Sequence, residues 1–183
     1  MHTISGRPRE EAERLSEFTS GGDRTVPHST RRVSVAVAAG IARVVSRAPI
    51  AAGDLIVHIE GILQDRPSRY SVQVEHGMHV DVPPESRGVA AGDPGYHWQF
   101  LNHSCAPNAR VVGRTVIALR PITLGEEITF NYNTTEYEVA CPFSCWCGTA
   151  DCAGEIGGFS RLDPAAQERL RPLLAAHLRN AAA

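Results

Sequence analysis

Residues 100–108 of the chain read Phe-Leu-Asn-His-Ser-Cys-Ala-Pro-Asn, and residues 125–132 read Gly-Glu-Glu-Ile-Thr-Phe-Asn-Tyr. Both stretches mix polar and apolar side chains, and the second ends a short β-like run at Tyr132. Taken singly, a tyrosine at a strand end is most often a packing residue with a solvated tip. A histidine such as His103, between asparagine and serine, is most often a hydrogen-bonded core residue. The order of the two stretches is therefore more informative than either residue.

The cysteines add a third pattern. Five occur in the 183 residues, and four of them lie in the segment CPFSCWCGTADC. An odd number argues against a disulfide framework and favours a metal site. Cys145, Cys147 and Cys152 are close enough in sequence to bind one tetrahedral zinc ion, which needs a fourth ligand. Spacing alone leaves Cys105 and Cys141 open for that place and favours the nearer one. Four thiolates would fill the coordination sphere, so such a zinc ion is expected to be structural.

Around these motifs the chain consists of short runs typical of β-strands. Val33, Val35 and Val37 alternate with small residues, which is the period of a half-buried strand. Glycine, proline and aspartate separate the runs. This pattern predicts a mostly β architecture of short strands and small sheets, not a parallel α/β fold. The further predicted strands cover residues 42–46, 54–59, 70–74, 79–82, 109–112, 115–119 and 127–132.

The two ends differ from this β-rich middle. Residues 1–30 are polar and are predicted to form a mobile N-terminal leader with a short helix at 10–18. Asp163 and Pro164 suit the cap and first position of one C-terminal helix within residues 161–183. Its apolar stripe is expected to pack on the parent domain, with a dimer contact as the alternative, so monomer or homodimer stays undetermined. The stripe consists of Leu170, Leu173, Leu174 and Leu178.

Charge and hydropathy exclude some classes of partner. The formal net charge is −2 at pH 7, whereas nucleic-acid binders are usually basic. No apolar run reaches the roughly 18–20 residues that span a bilayer, and the N-terminal sequence is unlike a secretory signal. We therefore expect a cytoplasmic or otherwise intracellular protein that contacts neither nucleic acid nor a membrane.

Together, three motifs resemble the SET-domain protein-lysine methyltransferases. They are the Asn-His-Ser-Cys-x-Pro-Asn stretch, the Gly-Glu-Glu-hydrophobic-Thr-x-x-Tyr stretch, and the C-x-C-x₄-C pattern of the family's post-SET segment. Upstream, residues 39–42 and 49–54 look like the family's opening Gly-x-Gly strand and its Pro-x-x-x-Gly-Glu turn. The resemblance covers roughly residues 33–160. One motif alone would be suggestive, whereas three in order with the cysteines are highly specific.

The resemblance implies a fold, an activity and two bound groups. The fold is the β-clip-like SET domain at residues 31–138, followed by a zinc-binding post-SET segment at residues 139–160. The implied enzyme transfers methyl groups from S-adenosylmethionine to the side-chain amine of lysine in a protein or peptide, expected to be basic. In family members with this segment, the cysteine of the first motif joins three post-SET cysteines on one structural zinc ion. The implied ligands are Cys105, Cys145, Cys147 and Cys152, with Cys141 free.

The resemblance also implies roles for individual residues. Tyr132 would be the catalytic tyrosine, orienting the amine beside the transferring methyl group. Phe130 stands where the family often has phenylalanine when two or three methyl groups are added, which predicts multiple methylation. The implied cofactor contacts are Gly40, Tyr96, Asn102, His103, Tyr132 and Phe159, and the implied walls of the lysine channel are Tyr70, Tyr96, Phe130 and Tyr132.

Two positions depart from the family pattern. Ala38 replaces the first glycine of Gly-x-Gly, and Gln99 stands where the family often has arginine. We expect both to alter cofactor affinity. The altered Gly-x-Gly at Ala38 also keeps open a catalytically degenerate SET-like binding module as an alternative function. A methyltransferase for a small-molecule amine and a zinc-dependent interaction domain are further alternatives.

The predicted site lies in an acidic part of the chain. Residues 121–160 contain several acidic residues and no basic one. Such a rim would steer a basic peptide towards the site. An ordinary solvated acidic surface is the alternative interpretation.

Overall fold

The computed structural model describes residues 32–89 and 95–181, with side chains up to residue 179. The predicted N-terminal leader and its helix lie outside these residues. Within them, twelve short strands form five small sheets, as predicted from the short β-like runs. Two of the sheets are three-stranded. Their strands are β3 (Leu55–His58), β9 (Thr115–Ala118) and β8 (Ala109–Val112) in one sheet, and β4 (Ile62–Gln64), β6 (Met78–Asp81) and β5 (Val72–Glu75) in the other.

The remaining strands form pairs. The first pair is the antiparallel hairpin of β1 (Val33–Ala38) and β2 (Ile41–Ser46). Ala38 pairs with Ile41, so only Ala39 and Gly40 form the turn, with φ angles of 52° and 77°. Positive φ at both central residues is the type I′ geometry that suits a two-residue hairpin. The other pairs are β7 (Asn102–His103) with β10 (Thr129–Phe130), and β11 (Phe143–Ser144) with β12 (Glu155–Ile156).

One apolar core joins the hairpin, both three-stranded sheets and the segment before β10. Val44, Ile56, Val80 and Ile128 have no measurable exposure within it. Since each sheet is too small to be stable alone, this shared core is what fixes the sheets relative to one another.

The C-terminal part begins as predicted and is then interrupted. Helix α1 (Pro164–Leu170) is capped by Asp163, whose carboxylate accepts the Ala166 backbone N–H at 2.8 Å. Pro172 lies in the following 3₁₀ turn (Arg171–Leu173), and a second helix, α2, covers Ala176–Ala181. Because proline has no N–H to continue an α-helix, the single predicted helix is divided in two. The end of the apolar stripe packs on the parent chain, where Leu174 and Leu178 bury Phe159.

Candidate active site and metal centre

The two motifs that dominate the sequence meet as a parallel strand pair. Asn102 lies opposite Thr129, and His103 lies opposite Phe130. Asn108, in the first motif, hydrogen-bonds to the backbone of the second motif. Its side chain donates to the Glu127 carbonyl at 2.8 Å and accepts the Thr129 backbone N–H at 2.9 Å. Each stretch therefore depends on the other for its conformation.

A cleft of about 810 Å³ opens beside this strand pair. Its walls come from the β1–β2 turn, residues 68–72, the two motifs and residues 139–147. The cleft brings together most of the residues predicted for the cofactor and the lysine channel. Those that line it are Gly40, Tyr70, Asn102, His103, Phe130 and Tyr132.

Two of the predicted site residues lie elsewhere among the described residues. Phe159 is 3% exposed and packs against Leu174 and Leu178, because the C-terminal helices cover it. Tyr96 precedes the 3₁₀ turn His97–Phe100 and packs against the main core. Neither side chain lines the cleft, and the cofactor contacts of these two residues and the channel-wall role of Tyr96 stay predictions.

Tyr132 is held at the junction of the motifs. It begins a 3₁₀ turn (Tyr132–Thr134) that the Asn131 side chain caps by accepting the Asn133 N–H. Its hydroxyl donates to the Leu101 carbonyl at 2.6 Å. Burial, helped by the nearby Glu136 and Glu127 carboxylates, raises the pKa of this hydroxyl. The group is therefore a neutral donor with a fixed direction, not a phenolate base.

Asn102 connects the cleft to the β1–β2 hairpin. Its side-chain amide donates to the Ala42 carbonyl at 3.1 Å and to Glu127 Oε1 at 2.8 Å. The other oxygen of Glu127 lies 3.6 Å from Arg43. The sequence interpretation did not single out Glu127, although the second glutamate of Gly-Glu-Glu was a visible signal. Its role is to hold Asn102 and β2 together at the edge of the cleft.

Gln99, one of the departures from the family pattern, has a positional role. Its side chain accepts the Gly88 N–H at 2.9 Å and donates to the Ser86 carbonyl at 3.0 Å. Gly88 in turn lies against Tyr70, since a Cβ added there would be 3.0 Å from the Tyr70 hydroxyl. Gln99 thus fixes a cleft wall through the backbone of the neighbouring segment, a contact that sequence alone did not predict.

Four cysteines meet at one end of the cleft. The Sγ atoms of Cys105, Cys145, Cys147 and Cys152 all lie within 4.8 Å of one another, and Cys105 is 4.0 Å from Cys145. A tetrahedral zinc ion with Zn–S bonds of about 2.3 Å needs sulfur atoms just under 4 Å apart. The donor set and its spacing therefore fit a structural zinc ion, which these residues would hold. Cys141, which spacing favoured as the fourth ligand, is exposed and outside the cluster.

The first motif also links the cysteine cluster to the cleft. His103 Nε2 lies 3.3 Å from Cys105 Sγ, and His103 Nδ1 accepts the Tyr132 N–H at 3.2 Å. Burial lowers the pKa of His103 to about 4, so the ring is neutral at physiological pH. A neutral, doubly engaged imidazole is not arranged as a general base.

The family model described as SET domain matches residues 42–133, half of the chain. The chain belongs to the SET domain family. The two motifs, their strand pair, Tyr132 and Cys105 all lie within the residues that this model matches.

The chain is similar to larger curated SET proteins. A Yarrowia lipolytica histone-lysine N-methyltransferase, H3 lysine-36 specific, is 31% identical over 132 residues, covering 64% of this chain and 17% of that protein. A protein of the same description from Chaetomium globosum is 40% identical over 115 residues, covering 58% and 13%. The methyltransferase flvH of Aspergillus flavus is 35% identical over 74 residues, covering 38% and 42%. The chain thus spans less than half the length of each of these relatives.

Among solved structures, KRYPTONITE in complex with mCHG DNA and SAH aligns with a TM-score of 0.48 and 22% identity, covering 67% of this chain and 28% of that one.

None of the helices within residues 32–89 and 95–181 is long and apolar enough to cross a membrane.

Proposed function

We propose that this SET domain transfers methyl groups from S-adenosylmethionine to the side-chain amine of a lysine in a protein or peptide. The observation that carries the proposal is the position of Tyr132. Its hydroxyl is fixed on the Leu101 carbonyl inside a cleft that both SET motifs line. The curated relatives named as histone-lysine methyltransferases support the lysine substrate, and they support an intracellular location.

In this proposal the cleft must favour a neutral amine. A free lysine has a pKa near 10.4, so only about one in 10³ is neutral at pH 7. Tyr70, Phe130 and Tyr132 would form an apolar, aromatic wall around the side chain, and such burial lowers the pKa of an amine. S-adenosylmethionine, when bound, supplies an electrophilic methyl group on a positively charged sulfur. The cleft would align the nitrogen lone pair of the amine with that methyl group.

Tyr132 would orient the amine without exchanging a proton, because its hydroxyl proton is already donated to Leu101. The lone pairs of the same oxygen stay available towards the reacting atoms. We place Gly40, Asn102 and His103 with Tyr132 as the cofactor side of the cleft. The post-SET segment at residues 139–160 would close that side once its cysteines hold zinc.

The expected substrate is a basic segment. Glu138, Asp151 and Glu155 are exposed in the post-SET part of the chain, and the acidic surface would attract cationic peptides. Histone H3 tails are one candidate class, suggested by the names of the relatives.

The test uses zinc-loaded protein and two tyrosine variants. Calorimetric titration with S-adenosylmethionine should give similar affinities for wild type and Tyr132→Phe, because the hydroxyl contacts Leu101. Methylation of a pool of lysine peptides, followed by mass spectrometry, should fall by about 10²-fold or more in Tyr132→Phe, as misplacement of a reacting group does. Tyr137→Phe, which alters a half-exposed neighbouring tyrosine, serves as the matched control.

Lack of S-adenosylmethionine binding with zinc fully loaded would refute the proposal and indicate a degenerate SET module. Transfer to a pool of small amines but to no peptide would assign the activity to small molecules instead.

A further inference from the structure

His103 uses its two ring nitrogens on two different parts of the site. Nδ1 accepts the backbone N–H of Tyr132 at 3.2 Å. Nε2 lies 3.3 Å from Sγ of Cys105, a member of the four-cysteine cluster. One side chain therefore connects the metal centre to the residue proposed to orient the substrate.

The first contact determines the tautomer of the ring. Because Nδ1 accepts this hydrogen bond, it carries no proton, and the one ring proton is therefore on Nε2. The Nε2–H group then points at Cys105 Sγ and donates to it. The Ala153 backbone N–H, 3.4 Å away, donates to the same sulfur. Two donors directed at one sulfur suit a metal-bound thiolate, whereas a thiol would bring a proton of its own.

We propose that His103 is a positioning residue through which the metal centre fixes Tyr132. With zinc bound, Cys105 is a permanent acceptor, so the imidazole is held by hydrogen bonds at both nitrogens. Its ring also packs edge-on against Tyr132 and Phe143, at centroid distances of 5.3 and 5.9 Å. The backbone of Tyr132 is then fixed from one side by His103, and its hydroxyl is fixed from the other by Leu101. The functional consequence of this link rests on the role proposed above for Tyr132, whereas the link itself does not.

A purified sample of the full chain tests the link directly. Nitrogen-15 correlation spectra of the histidine rings of the zinc-loaded protein should show His103 neutral and protonated at Nε2. Adding zinc to the metal-free protein should shift the Tyr132 amide resonance. His103→Phe keeps the ring packing but removes both nitrogens, so zinc should bind about 10–100-fold more weakly in competition with a chelator, as loss of an outer hydrogen bond to a metal ligand typically causes.

His58→Phe is the matched control, since His58 is half-buried on β3 and its Nδ1 lies 3.4 Å from the Thr115 hydroxyl, away from the cysteine cluster. Its zinc affinity should equal that of wild type. A proton on Nδ1 of His103, or an unchanged zinc affinity in His103→Phe, would overturn the inference. If His103→Phe does not fold, the ring spectrum of the wild-type protein still decides the tautomer.

These outcomes are separable from those of the proposed function. Tyr132→Phe keeps the backbone N–H that His103 accepts, so it should retain the His103 tautomer and the zinc affinity. If Tyr132→Phe transferred methyl groups as well as wild type, the proposed role of Tyr132 would fail while the link between the metal centre and His103 would stand.

Discussion

Glu136 presents a buried carboxyl group whose replacement by glutamine should stabilise the protein in a pH-dependent way. The side chain is only 7% exposed. Its Oε1 accepts the Gln73 N–H at 2.8 Å and the Thr135 hydroxyl at 3.1 Å. Burial nevertheless dominates and raises the pKa of this carboxyl to about 7.

The ionisable groups near Glu136 do not compensate its charge. His79 on β6 has Nε2 3.9 Å from Glu136 Oε2. Burial, together with the charge of His177 on α2, lowers the pKa of His79. At neutral pH the carboxylate therefore faces a neutral imidazole and gains no ion pair.

The magnitude follows from the pKa difference between the two states. In the unfolded chain the pKa of this carboxyl is near its ordinary value of 4.5. Between pH 4.5 and about 7 the native protein therefore keeps a proton on Glu136 that the unfolded chain has lost. The contribution of Glu136 to the free energy of unfolding is present in full below pH 4.5 and is lost as the pH rises through 7. At about 1.4 kcal/mol per unit, the loss is on the order of 3 kcal/mol. Glutamine keeps an acceptor oxygen but carries no charge, so the free energy of unfolding of Glu136→Gln should exceed that of wild type by less than about 1 kcal/mol at pH 5 and by on the order of 3 kcal/mol at pH 8.

Urea unfolding at pH 5, 6, 7 and 8 measures this difference. The neighbouring exposed residue supplies a control, Glu138→Gln, for which the difference from wild type should be small at every pH. His79 makes an opposing contribution in both proteins, because its lowered pKa costs stability as the pH falls. A stability difference for Glu136→Gln that does not change with pH would refute the reasoning. So would a variant that is weaker than wild type at pH 8, because it would mean that a protonated His79 pairs with the carboxylate.

Three further predictions concern the backbone, the tail and the channel. Gly158 has φ 104°, and a Cβ added there would lie 2.5 Å from the Tyr137 carbonyl oxygen. Gly158→Ala should therefore lower the free energy of unfolding, measured with urea, by about 2–5 kcal/mol. In the control Gly154→Ala the added Cβ meets open space, so that variant should lose only the free energy that its positive φ costs. Removing zinc with a chelator should raise amide exchange in residues 141–156 while β3, β8 and β9 stay protected, which hydrogen-exchange mass spectrometry detects; uniform deprotection would contradict it. Phe130→Tyr should shift products towards monomethyl-lysine in mass spectra, because an added hydroxyl takes space and hydrogen-bonds the amine, and an unchanged product ratio would count against the channel assignment.

The sequence predicted the longer strands and the run that contains β10, but it missed β4 and the two-residue strands β7, β11 and β12. Alternating valines in β1 and the apolar runs of β8 and β9 bury one face of a strand, and that periodicity is visible in the residues themselves. Strands β7, β11 and β12 contain two residues each, too few to show a period. They exist because distant segments pair with them, as when Asn108 holds the second motif against the first.

The site residues likewise divide into those that a sequence motif indicates and those whose place depends on tertiary contacts. The motifs indicated where Tyr132 and the four clustered cysteines lie, and the catalytic role of Tyr132 stays a prediction. Phe159 was assigned to the cofactor because it follows the cysteines, but it lies under Leu174 and Leu178. The leucine stripe was recognised and needed an apolar partner, yet nothing in its periodicity showed that Phe159 was that partner. Roles that depend on tertiary contacts alone, such as those of Gln99 and Glu136, had no local signal.

The post-SET segment explains why a metal that cannot touch the substrate should still control the reaction. Strands β11 and β12 pair over two residues each, and Trp146, between two of the cysteines, is 91% exposed. A segment that buries so little apolar surface lacks the usual source of folding free energy. Binding of structural zinc to zinc-finger peptides supplies about 10–16 kcal/mol, which is enough to order a short segment. Since residues 139–147 form one wall of the cleft, that wall is expected to be ordered only when the thiolates hold their metal. The cleft would then be complete only in the metal-loaded protein, although four sulfur ligands leave the ion no open position for chemistry.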